Sequence, residues 1–84
     1  MKPIRLTRHA QEQCVERGAT ESEVREAIRR GTRQPAKFGR TLCRFNFPFG
    51  ERWQGKSFAI KQVAPVIVEK AHEIVVVTVY TFYF

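Results

Sequence analysis

Acidic side chains are missing from the middle of this chain. Residues 29 to 50 contain no Asp or Glu, yet Arg29, Arg30, Arg33, Lys37, Arg40 and Arg44 all fall there. Over all 84 residues, 15 Lys and Arg stand against 8 Asp and Glu, a formal net charge of +7. That balance favours an anionic partner such as nucleic acid or an acidic protein. Cysteine is scarce too. Cys14 and Cys43 lie far apart and form no CxxC, which argues against a disulfide framework or a paired-cysteine motif. They read as small buried hydrophobes, and nothing supports a disulfide between them. Only His9, His72 and these thiols could lead a metal site, so no metal and no cofactor is expected. No stretch supplies the roughly twenty apolar residues of a membrane-spanning helix, and no membrane partner is expected. The N-terminus lacks the apolar segment of a secretory signal, so the expected location is cytoplasmic. Walker, GxSxG and HExxH patterns are absent.

What the chain does have is a run of strand-forming side chains at its end. From Ile74 to Phe84 every residue is β-branched or aromatic. Such residues suit a pleated surface and are restricted at χ1 in a helix. Both faces of the run are apolar, so it reads as a central strand covered on both sides. Its length poses a problem. Residues 73–84 would extend over about 40 Å, while a domain of this size is about 30 Å across. The aromatic end must bend, overhang or pair with something else. A homodimer through Phe82 and Phe84 is the expected solution, since an exposed aromatic edge invites pairing.

In chain order, residues 3–6 form a short extended segment with Ile4 and Leu6 on one face. Thr7 reads as an N-cap, Arg8–Arg17 as a helix and Gly18 as its stop. Ala10, Cys14 and Val15 make the apolar arc; His9, Gln13 and Glu16 cluster away from it. Thr20-Glu21-Ser22-Glu23 is a capping box that opens a second helix. Its buried stripe is Val24, Ala27 and Ile28, and Gly31 ends it. Residues 41–47 alternate as a strand, with Cys43, Phe45 and Phe47 on one face and Leu42, Arg44 and Asn46 on the other. Residues 48–55 read as a turn region carrying Arg52 and Trp53. Residues 56–63 form another strand, with Phe58 and Ile60 inward and Lys61 outward. Pro65 interrupts it or marks a bulge; residues 66–69 resume it, and residues 70–73 turn into the terminal strand. The expected fold is α+β: two N-terminal helices on a small, mainly antiparallel sheet, in the order β-α-α-β-β-β, as one domain.

Thr7-Arg8-His9-Ala10, followed by Glu16-Arg17-Gly18 and an acidic start to the second helix, resembles a family of small bacterial domains of unknown function. Lys61-Gln62-Val63 and Val77-Thr78-Val79-Tyr80 are similar to that family as well. Together the matching motifs span most of the chain. The family is grouped with the RelE/ParE-type toxin fold, in the barnase-like and colicin-like ribonuclease assemblage. The resemblance implies a helix-on-sheet domain with metal-independent RNA cleavage, so the leading expectation is a toxin-type ribonuclease acting through a basic sheet-face cleft; the alternative is a non-catalytic RNA- or protein-binding module of the same fold, held by an antitoxin-like acidic partner. The resemblance also implies His9, Arg17 and Lys61 as candidate site residues.

Metal-free RNA cleavage needs a base for the 2′-OH, an acid for the leaving oxygen and cations on the phosphate. His9, in the first turn of a helix, is a candidate acid or base beside an anion-binding helix N-terminus; the bland reading is a capping or surface histidine. Lys61 is the leading candidate beside it, with Tyr80 as a hydroxyl donor from the terminal strand. For RNA binding the candidates are Arg17, Arg40, Arg44, Asn46, Arg52 and Trp53. Arg44, Asn46 and Lys61 are expected on one exposed sheet face, where Lys, Arg and Asn also occur simply as solvated residues. Trp53, between Arg52 and Lys56, is the expected exposed stacker for a base.

Overall fold

In the computed structural model, which describes residues 2–84, local signals set both helices. Thr7 holds extended backbone and its Oγ1 accepts the Ala10 N–H at 3.1 Å, so helix α1, Arg8–Arg17, starts there. Gly18 ends it at φ 74°. A Cβ at Gly18 would lie 2.6 Å from the Tyr83 hydroxyl and 2.7 Å from the Trp53 ring, so the position needs glycine for space as well as for its backbone. Helix α2, Glu21–Arg30, opens on the expected capping box: Thr20 N–H donates to Glu23 Oε1 and Glu23 N–H to Thr20 Oγ1, both at 3.0 Å. Val24, Ala27 and Ile28 are its buried residues.

The helices cover one face of a five-stranded mixed sheet. Its strands are β1 (Ile4–Leu6), β2 (Thr32–Pro35), β3 (Thr41–Trp53), β4 (Lys56–Glu69) and β5 (Ile74–Tyr83), in the spatial order β1-β5-β4-β3-β2. β1 runs parallel to β5; all other pairs are antiparallel. The α+β class with two helices is as expected, but the strand order adds a member. β2 has four exposed residues ending in Pro35, without the apolar alternation that reveals a strand. Residues 48–53, expected as a turn, continue β3 past a register shift between Pro48 and Glu51. The turn itself is only Gln54 and Gly55, both at positive φ, as in a tight hairpin. Residues 56–69 are one strand despite Pro65. The β3–β4 partners pass from Leu42↔Val66 to Phe45↔Val63, skipping the place where Pro65 lacks a donor.

β4, not β5, is the centre of the sheet. β1 pairs with β5 only from Ile74 to Val76, so the rest of β5 is an edge. Helix α1 completes that edge with side chains. Gln13 Oε1 accepts the Val79 N–H at 2.8 Å, and Arg17 donates to Val79 O at 2.7 Å. This alters part of the expected arc of α1: Ala10 and Cys14 are buried as expected, but Gln13 is 7% exposed and Val15 is 83% exposed. A helix lying against an open strand edge must bring polar groups to it, because a buried N–H without a partner costs about 1–3 kcal/mol. The molecule measures 41 × 24 × 23 Å, long enough for β5 to lie along it. Phe84 stays in register, exchanging backbone hydrogen bonds with Ile60 at 2.8 and 3.1 Å. The rings of Phe82 and Phe84 remain 43% and 57% exposed.

Lys61 departs most from expectation. It lies opposite Phe47, hence on the helix-covered face, and is 6% exposed. Its ammonium sits 2.8 Å from Glu23 Oε1 and donates to Gly18 O at 2.9 Å. Counting inward residues from Phe58 and Ile60 chose the wrong parity for the buried half of β4, where Lys61, Val63 and Ile67 point to the helices. Removing one member of a buried ion pair leaves the other charge without compensation. Lys61→Ala is therefore expected to destabilise the fold by about 3 kcal/mol, with a smaller loss for Lys61→Met, which keeps the packed stem. Thermal and urea unfolding check this; wild-type stability in Lys61→Ala would show that the pair is not structural.

Candidate nucleic-acid interface

The face of the sheet away from the helices is set by a bulge. Val66 pairs with Thr78 and Ile67 with Val76, leaving Val77 as an extra residue on β5. Beyond it Thr78, Tyr80 and Phe82 point to the open face, while Val79 enters the core beside Val76. On the neighbouring strands the open face carries Val66, Ala64 and Gln62 from β4, then Leu42, Arg44 and Asn46 from β3. Gln34 of β2 lies opposite Leu42.

Cations and aromatic rings alternate across this surface. The Arg17 guanidinium lies 5.3 Å from the Tyr80 ring centroid. Tyr80 stacks with Phe82 at 6.4 Å and an interplanar angle of 24°. Phe82 lies under the Arg44 guanidinium at 5.5 Å. Arg44 is held by Gln62 Oε1 at 2.8 Å and Gln34 Oε1 at 3.2 Å, and the Gln62 amide donates to Asn46 Oδ1 at 2.8 Å. At the side of the face, Arg40 covers the exposed Phe38 ring at 5.6 Å. None of these side chains is a carboxylate. Among the described residues Arg17, Arg40 and Arg44 form no ion pair, whereas Lys2, Arg5, Arg8, Arg30, Arg33 and Lys61 do. Cations held by amides and rings keep their full charge for an incoming anion.

Arg17, Arg40, Arg44, Asn46 and Tyr80 thus come together, as the sequence suggested for Arg44 and Asn46. His9 does not join them; it is exposed on α1. Lys61 is on the opposite face of the sheet. Arg52 is exposed near the far end of the β3–β4 hairpin. Trp53 is not an exposed stacker: it lies flat on Tyr83, with centroids 5.0 Å apart and 14° between planes, beside Phe49 and Phe58, which also flank Tyr83. Its place in a strand under Gly18, rather than in a turn, accounts for the difference. Gln34 and Gln62 were not anticipated. Correct strand parity would have revealed Gln62, which follows Lys61 and so takes the opposite face.

Several other titratable groups are structural. Burial raises the thiols of Cys14 and Cys43; both are free and belong to the core. Glu69 is held below the usual carboxylate range by hydrogen bonds from Lys2 and then Arg33, and Glu73 by Arg5. These pairs fasten the end of the sheet away from the aromatic cluster. Among the described residues no group of three His, Cys, Asp or Glu could hold a metal ion, and no helix is long and apolar enough to cross a membrane. Comparison with protein-family models, curated proteins and solved structures finds no match to this chain.

Tyr83 provides a test of the aromatic corner. Its hydroxyl donates to Arg17 O at 2.7 Å, and burial raises it above the ordinary value of 10.0. A raised folded value favours the protonated form. Its contribution is complete below the unfolded value and is lost as pH rises through the folded one. Stability is expected to fall above pH 10 in the wild type and less steeply in Tyr83→Phe, followed by circular dichroism. Identical alkaline profiles would remove Tyr83 from the account.

Proposed function

We propose that this chain binds single-stranded RNA on its open sheet face. The observation that carries the reading is the alternation of unpaired guanidinium groups with exposed rings, from Arg17 through Tyr80 and Phe82 to Arg44. Unpaired bases stack on aromatic side chains, and cations along the same path neutralise phosphates. The net charge of +7 supplies attraction at longer range. A duplex would offer these rings no free base faces, so a single strand suits them better.

RNA cleavage without a metal, as resemblance to RelE/ParE-type toxins implies, is a second reading of the same face. It is favoured by one observation, the Tyr80 ring beside the Arg17 guanidinium. There Tyr80 would give its proton to the leaving 5′ oxygen and Arg17 would serve as the phosphate cation, while the attacking 2′-OH loses its proton to solvent water. His9 and Lys61 have no part in that arrangement. The exposed rings of Phe82 and Phe84 favour a further occupant, a second copy of the chain, which sedimentation at high concentration would reveal. An antitoxin-like acidic protein would use the same unpaired arginines.

Binding to a single-stranded RNA is expected to weaken linearly in log–log terms with salt, by about 0.7 per neutralised phosphate. Arg44→Ala should lower that slope by about the same amount. Phe82→Ala should cost about 1–3 kcal/mol of affinity with little change in slope. Fluorescence anisotropy with a labelled oligoribonucleotide measures both. Parallel incubation in EDTA tests cleavage, which Tyr80→Phe should abolish. Affinity that ignores salt, or is unchanged in both binding variants, would sink the RNA reading.

A further inference from the structure

The β2–β3 turn is built around an ill-suited residue. Arg40 N–H donates to Lys37 O at 3.3 Å and Ala36 N–H to Arg40 O at 2.8 Å. The two residues at the tip are both left-handed: Phe38 at φ 62° and ψ 32°, Gly39 at φ 70°. A turn of this kind takes Gly, Asn or Asp at its first central position, and a bulky side chain there is an outlier. Burial does not compensate, because Phe38 is 86% exposed. An exposed ring held in an unfavourable backbone conformation points to a use outside folding.

That ring borders a cleft of about 280 Å³. Leu42, Val66 and Thr78 line it and follow one another across β3, β4 and β5. They form an apolar floor with a single hydroxyl. Tyr80 lines the cleft from β5; Phe38, Lys37 and Arg40 line it from the turn. The volume is just under the roughly 300 Å³ at which pockets for drug-sized ligands begin, which fits one planar ring system and little more. The lining carries two cations and no carboxylate.

We propose that this cleft is a nucleobase subsite. One unpaired base of a bound single strand lies over Leu42 and Val66 between the Phe38 and Tyr80 rings. Its polar edge meets the Thr78 hydroxyl, and its phosphate meets Lys37 and Arg40. An apolar peptide side chain would occupy the floor but leave both cations unused; an inorganic anion would use the cations and leave the floor bare. A nucleotide unit satisfies both. The inference rests on the reading that the open face takes single-stranded RNA, and adds a defined place where a base is held.

The test uses the full chain labelled with 15N. Amide shifts are followed during titration with a short single-stranded oligoribonucleotide, with 5′-AMP, with ribose 5-phosphate and with inorganic phosphate. The oligonucleotide is expected to shift Phe38, Leu42, Val66 and Thr78 at low concentration, and 5′-AMP to shift them at higher concentration. The two baseless phosphates are expected to shift only residues near Lys37 and Arg40. Phe38→Gly should raise the melting temperature, because glycine accepts the left-handed backbone, yet weaken oligonucleotide binding about tenfold. This opposite movement separates folding from binding. Undiminished binding by Phe38→Gly overturns the subsite. So do oligonucleotide shifts confined to Arg44 and Phe82, which would leave the RNA reading standing. Shifts of the cleft by 5′-AMP without any by the oligonucleotide would also overturn it, by making the ligand a free nucleotide. No shift anywhere with the oligonucleotide would overturn both.

Discussion

The last turn of α1 leaves carbonyl oxygens that no helical N–H can reach, and strand side chains answer them. Arg17 O accepts from the Thr81 hydroxyl at 2.9 Å and from the Tyr83 hydroxyl at 2.7 Å. Gly18 O accepts from the Lys61 ammonium at 2.9 Å. The same ammonium reaches Glu23 Oε1, which already accepts the Thr20 N–H. One buried cation therefore joins the end of α1, the capping box of α2 and the middle of the sheet. A cation near a helix C-terminus is also favoured by the dipole. The angle between the helices, the close approach at Gly18 and the packing of Trp53 on Tyr83 all depend on this corner.

Two consequences reach the opposite face. Because α1 sits at the β5 edge rather than across the middle of the sheet, Arg17 can serve both sides. Its guanidinium bonds the edge carbonyl of Val79 and overhangs the Tyr80 ring. And because Lys61, Thr81 and Tyr83 are committed to the helix side, strand alternation sends Gln62, Tyr80 and Phe82 to the open side. The polar groups that hold the fold and the rings that offer a surface are alternate residues of the same two strands. A one-residue slip of β5 would exchange them. The bulge at Val77 is where that phase is decided.

The helices were legible because their signals are local: Thr7, Gly18 and the Thr20–Glu23 box lie within a few residues of what they specify. The sheet was legible as a composition and not as a pairing. Nothing near Lys61 says that a lysine will be buried, since its partners Gly18 and Glu23 are brought to it only by folding. Val15 reads as core from its spacing beside Ala10 and Cys14, but the buried face of α1 turns toward the β5 backbone edge, where Gln13 accepts the Val79 N–H and Val15 is left in solvent. β2 was hidden by having no apolar residue except Pro35, its pairing being a matter of backbone hydrogen bonds. At the site, Arg44 and Asn46 followed from alternation within one strand. Gln62 required the parity of β4, and Phe82 that of β5, which the bulge at Val77 makes unreadable from hydrophobicity.

Charge follows the same division. The acids of this chain stand on the helices, near the tip of the β3–β4 hairpin, or at the β4–β5 turn, where Glu69 and Glu73 take Lys2, Arg33 and Arg5. Those acids neutralise the bases nearest to them. The acid-free stretch of residues 29–50 instead leads through β2, the Phe38 turn and β3, which form one side of the open face. Its lack of carboxylates is thus converted by topology into a surface with unpaired arginines. Amides suit that surface where acids would not. Gln34, Gln62 and Asn46 orient the Arg44 guanidinium and its neighbours by hydrogen bonds without cancelling the charge. A glutamate at either glutamine position would hold Arg44 more tightly and leave less of its field for an anion.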